Sequence, residues 1–121
     1  MASNVSLGFE ETYGLVAAVE AADAMSKAAR VRVRTVANAD LGLLSVICEG
    51  DLAACKAAVD AGRAAAQRVG GCITSNVIGR PDEGTETFID EGIHTTIMPR
   101  PAAVEASPPP RPSRKGRSKK S

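Results

Sequence analysis

The sequence predicts an α+β domain, and three observations carry the prediction. Val31 to Asp51 holds two strand-like runs joined by a short, turn-prone connection. On either side lies an Ala-rich segment whose apolar residues recur at three and four positions, the period of an amphipathic helix. Outside these come two alternating runs, Val5 to Phe9 and Cys72 to Ile78, of the kind half-buried strands show.

Taken in order, Val5, Leu7 and Phe9 alternate with Ser6, Gly8 and Glu10 in a first strand that ends near Thr12. From Gly14 the period changes, and Leu15, Val19, Ala22, Met25 and Ala29 form the stripe expected to be buried. Alanine favours helix and permits close approach to a sheet. In the second strand Val31 and Val33 alternate with Arg30, Arg32 and Arg34, so one face is apolar and the other charged. Leu43 to Cys48 is almost wholly apolar and reads as a more central strand. Between the two, Asn38, Asp40 and Gly42 tolerate turn geometry, and the connection is short enough for an antiparallel hairpin. Asp51 is an N-cap for a second helix with its stripe at Leu52, Cys55, Val59, Gly62, Ala66 and Val69, stopped by Gly70 and Gly71. A fourth strand follows, halted by Gly79, Arg80 and Pro81.

Strand, helix, strand, strand, helix, strand is the ferredoxin-like βαββαβ arrangement: an antiparallel four-stranded sheet with two helices on one face. Its other face and its edges then need cover, for which a partner subunit is the economical candidate. Beyond Pro81, residues Asp82 to Pro101 read as an extended C-terminal arm with a short helical turn around Phe88, Ile89 and Asp90. The expected organisation is one domain with its arm over 1–98 and a disordered, Pro-rich basic tail over 99–121, a stretch whose composition cannot offset the entropy of ordering.

At 121 residues there is room for one modest core, built from Ala, Val, Leu and Ile with Tyr13, Phe9 and Phe88 the only aromatics. A chain this size often completes its burial by oligomerising. The formal charge of +1 hides an asymmetry: residues 111–121 carry six basic side chains and no acid, whereas residues 1–110 carry nine basic and fourteen acidic ones. Cys48, Cys55 and Cys72 lack the paired spacing of a zinc site or disulfide framework and read as buried free thiols in a reducing cytosol. Neither a leader nor an apolar run of about 18 residues is present, so a cytoplasmic protein with no membrane partner is expected.

Catalysis is not expected. The single histidine, His94, has no cysteine or second histidine near it in the sequence. Glu10 and Glu11 are adjacent in a strand and point to opposite faces, so they form no acid/base pair. Gly70 and Gly71 follow a helix rather than opening one, the wrong context for phosphate. No catalytic group, metal or cofactor is therefore assigned.

With the elements placed, Leu7-Gly8, Glu11-Thr12, Gly14-Leu15 and the run Ala17 to Met25 with Lys27 resemble the first half of a bacterial microcompartment shell protein. Gly50-Asp51, Val59 to Gly62, Ala64 to Ala66, Val69-Gly70, Val77-Ile78 and Arg80-Pro81 resemble the second half, and the likeness covers roughly Val5 to Asp82. One copy is present, so the chain is similar to the single-domain class that forms flat cyclic hexamers tiling into shell facets. The resemblance implies that Lys27 and Arg80 lie at the edge where hexamers meet. It also implies that the loop Asn38, Ala39, Asp40, Leu41 and Gly42 lines a central pore for small metabolites.

Two departures accompany it. The family usually has Pro before the edge arginine, where this chain has Gly79, and its usual Lys-Ile-Gly-Ser-Gly loop is replaced here by Asn38 to Gly42. Six copies of Asp40 facing a pore would make a negative ring favouring cationic or neutral metabolites over anions; facing its own turn, Asp40 would only cap the loop. Implied partners are the chain itself, other shell proteins and encapsulated enzymes. The basic tail suits phosphate neutralisation, but it has no interleaved aromatics and no folded reader, which disfavours nucleic acid. The alternative is a small ferredoxin-like binding or regulatory module using the tail for nucleic acid or protein partners.

Overall fold

A computed structural model describes residues 5–38 and 41–93. Four strands and two long helices appear in the order the periodicity predicts: β1 (Ser6–Tyr13), α1 (Leu15–Ala28), β2 (Arg32–Asn38), β3 (Leu43–Gly50), α2 (Leu52–Val69) and β4 (Cys72–Ile78). The sheet order is β2-β3-β1-β4, and each neighbouring pair is antiparallel. Local chemistry sets the boundaries. Asp51 caps α2 by accepting a hydrogen bond from the Ala54 N–H at 2.8 Å. Gly70 and Gly71 end the helix in positive-φ conformations that favour glycine, and both of their N–H groups reach the Ala66 carbonyl.

The main core lies between the sheet and the helices. Its buried side chains are Ala17, Ala18, Ala21 and Met25 of α1, Cys55, Ala58, Val59 and Ala66 of α2, and Val46 and Cys48 of β3. Here the expected stripe of α1 is corrected. Met25 is buried, but Leu15 and Val19 are more than half exposed, and alanines occupy the inner face instead. The reason is distance, since helices drawn this close to a sheet and to each other leave room for methyl groups and little more.

Two bulges shift the alternation read from the sequence. In β2 the pairing slips between Val33 and Thr35, which makes Arg34 the extra residue. Despite the bulge, Arg34 stays with Arg32 on the sheet face away from the helices, as the alternation predicts, and both reach Glu49 of β3. The Arg34 side chain is 15% exposed and bridges Glu49, at 3.5 Å, to Asp90. In β4, Thr12 pairs with Cys72 and Glu11 with Thr74, so Ile73 is the residue left over and its side chain is exposed.

The arm is also corrected. Over its described residues it is not extended: Asp82 accepts a hydrogen bond from the Gly84 N–H at 3.0 Å and starts a short helix, α3 (Glu83–Thr87), which runs into a wider helical turn over Phe88–Gly92, where the sequence places one. That turn sets Ile89 on the sheet face away from the helices, against Leu7 and Ile47 with Phe9 and Ile93 alongside. Part of the face assigned to a partner subunit is thus covered by the chain itself. His94 and the tail lie outside the described residues.

Candidate functional site

β1 runs from Ser6, paired with Gly50, to Tyr13, paired with Leu43, and this gives the domain two distinct ends. At one end sits the β2–β3 loop. Asn38 closes β2 opposite Leu44, Ala39 and Asp40 lie outside the described residues, and Leu41 and Gly42 complete the connection. Leu41 holds φ at +54°, a conformation that costs a residue with a Cβ about 1 kcal/mol. It is also 89% exposed. Gly42, at φ +82°, accepts a hydrogen bond through its carbonyl from the Gly14 N–H at 2.7 Å, which anchors the loop to the start of α1.

Lys27 and Arg80 belong to the other end. α1 begins beside the loop and closes with Lys27 in its last turn, after which Arg30 and Val31 press against Gly50. From there Leu52 packs against Gly79, and an open groove is lined by Ser6, Leu52, Gly79 and Arg80. The topology thus puts both proposed edge residues at the end of the sheet opposite the loop. The separation is one strand of eight residues, roughly 25 Å at strand rise. Lys27 pairs with Asp23 one turn back at 2.8 Å, and that carboxylate, by its hydrogen bond and then its charge, pushes the ammonium above its ordinary range. The pair is exposed and therefore readily exchanged for another partner.

Sequence reasoning missed a third feature. Tyr13, Leu15, Val16, Val19, Val69 and Ile73 are all exposed apolar side chains. They come from the end of β1, the first turns of α1, the end of α2 and the start of β4, which meet where the Tyr13 N–H bonds the Gly71 carbonyl at 3.3 Å. An apolar surface therefore flanks the loop. Large apolar side chains left exposed together at one end of a domain mark an association surface. The signal was present in α1, where Leu15, Val16 and Val19 add large apolar groups to a helix whose inner face is already filled by alanine.

Chemistry is sparse by comparison. Burial pushes the Cys48 thiol up to about 12 and the Cys72 thiol up to about 11, so neither is a ready nucleophile. Among the described residues no group of three or more His, Cys, Asp or Glu side chains could hold a metal ion, and no helix is long and apolar enough to cross a membrane.

Comparison with known proteins gives a consistent result. Residues 6–81 match the family model described as the BMC domain. The bacterial microcompartment shell protein EutK of Salmonella typhimurium is 56% identical over 84 residues, a match covering 69% of this chain and 51% of that protein. The chain thus spans about half the length of that relative. The shell protein EutM of Escherichia coli K12 is 50% identical over 88 residues, covering 73% of this chain and 91% of EutM. Among solved structures, a microcompartment protein from Desulfitobacterium hafniense DCB superposes with a TM-score of 0.60 at 28% identity, over 67% of this chain and 44% of that one.

Proposed function

This chain belongs to the BMC-domain family, and from that premise we propose that it is a non-catalytic shell subunit of a bacterial microcompartment, forming cyclic hexamers that tile into facets. The observation carrying this reading is the polarity of the domain: apolar surface and loop at one end, Lys27 and Arg80 at the other. Six copies arranged with their loops inward would bury Tyr13, Leu15, Val16, Val19, Val69 and Ile73 between neighbours. The same arrangement would gather residues 38–42 round the axis and turn Lys27 and Arg80 outward to the rim, where hexamers meet. One rotation thus accounts for all three features.

The solution mass of the full chain by light scattering tests it. A mass near six chains is expected, and a monomer or dimer would overturn the cyclic reading.

The pore is proposed to pass small metabolites, with Asn38, Ala39, Asp40, Leu41 and Gly42 at its rim. Leu41, exposed in the single chain, supplies bulk there. Asp40 supplies charge, and six carboxylates close together would favour cationic or neutral solutes over anions. In assembled shells, Asp40→Asn is expected to lower the permeability ratio of amines to carboxylates several-fold. An unchanged ratio would remove Asp40 from the pore. Other shell proteins and enclosed enzymes are the further partners proposed.

A further inference from the structure

Glu10 is the one charged residue among the fully buried side chains of the described residues, and neither of its carboxylate oxygens has a hydrogen-bond partner. It stands on the helix side of β1, while its neighbour Glu11 faces the other way, towards the Ser45 hydroxyl at 3.5 Å. The space it fills exists because position 62 of α2 is glycine. A Cβ there would come within 2.4 Å of a Glu10 oxygen and 2.7 Å of Met25 Cγ of α1. Glu10 is therefore wedged where β1, α1 and α2 meet.

An uncompensated charge in such a place is costly, and the carboxyl relieves the cost by holding its proton. Burial pushes it up to about 7, against the opposing pull of the Cys72 thiol and the Arg63 guanidinium. The groups facing it are Arg63 from α2, Cys72 from β4 and Cys48 from β3, whose own ionisation Glu10 disfavours. From α1 the facing residue is Met25, which does not titrate. The Cys72 thiol also lies 3.5 Å from the Thr74 carbonyl, to which it donates.

We propose that Glu10 is a proton-operated latch between the sheet and the helix layer: protonated, it seats in the notch at Gly62 and holds α1 and α2 down, and ionised, it must turn towards Arg63 and draw in water, loosening that layer. The consequence is a subunit that tightens on mild acidification and relaxes at neutral and alkaline pH. The sign follows from proton counting. Between the ordinary value of 4.5 and about 7 the folded chain holds a proton that the unfolded chain has lost, so stability falls as pH rises through this window and levels off above it.

Denaturant unfolding of the full chain against Glu10→Gln, at fixed protein concentration, tests the latch, because glutamine keeps the shape and removes the titration. The wild-type folding constant is expected to fall relative to the variant by up to about tenfold per pH unit from about pH 5 to 7, then to level off. A ratio independent of pH would overturn the proposal. Should Glu10→Gln fail to fold, infrared spectroscopy of the wild-type chain decides the matter. A protonated carboxyl band that persists at about pH 6 and is lost by about pH 8 supports the latch, and its absence at about pH 6 overturns it.

Discussion

Replacing Val16 and Val19 together by Asp is expected to leave the chain folded and to abolish its assembly. Both side chains are exposed in the isolated subunit, by 67% and 54%, so the fold loses little when they change. Val16 also lies in the first turn of α1, which has no acidic residue of its own, and a carboxylate there is favoured by the helix dipole. In the proposed hexamer the same two positions are closed against a neighbour, and each unpartnered carboxylate then costs about 1–3 kcal/mol or more. Six interfaces carry the penalty at once. Light scattering should show the mass falling from near six chains to one, with an unchanged far-UV circular dichroism spectrum. Retention of the larger mass would mean that the apolar end of the domain is not the contact between subunits, and the loop would then lose its reason to lie on an axis.

A large single-site loss of stability is expected from Gly8→Ala. Gly8 lies in the middle of β1, where a Cβ would stand 2.7 Å from the Cys48 sulfur and 2.8 Å from Val59 Cγ2. Both neighbours are themselves buried, one on β3 and one on α2, so neither can simply turn away. Forcing an extra methyl group into a close-packed core costs about 1–3 kcal/mol, occasionally more, and here the clash meets two elements together. A fall in Tm of roughly 10 °C or more is expected, since about 1 kcal/mol corresponds to about 4–8 °C in a domain of this size. Adding Val59→Ala should restore part of the loss, because it removes one of the two atoms struck. A Gly8→Ala chain that melts with the wild type would show that α2 stands further from the sheet than its contacts imply.

These two substitutions sit on opposite sides of what could be read in advance. Gly8 belongs to a strand whose alternation was plain, and the family likeness of Leu7-Gly8 was visible in the sequence. Val16 falls off the stripe that the periodicity marks for burial. Hydrophobic periodicity says that a helix has an apolar side; it does not say whether the chain itself or a second copy will cover it. Periodicity alone therefore places Leu15 and Val19 in the core, although alanines fill the space beneath the helix. The candidate site divides likewise. The positions of the loop, Lys27 and Arg80 followed from the family resemblance, but their placement at opposite ends of one sheet required the strand register.

Sequence by itself determined the element order, the caps at Asp51 and Gly70, the hairpin and the antiparallel sheet, because each rests on contacts or periodicities spanning a few residues. Tertiary structure alone decided the bulge that turns Ile73 outward, the pairing of Arg34 with Asp90 of the arm, the docking of Ile89 on the far face, and the burial of Glu10. A bulge breaks period two without leaving a mark in composition. A carboxylate in a strand reads as solvent-facing until a glycine 52 positions later, at Gly62, leaves the notch that encloses it. Those outcomes depend on which surfaces meet, and that is fixed only when the whole chain has packed.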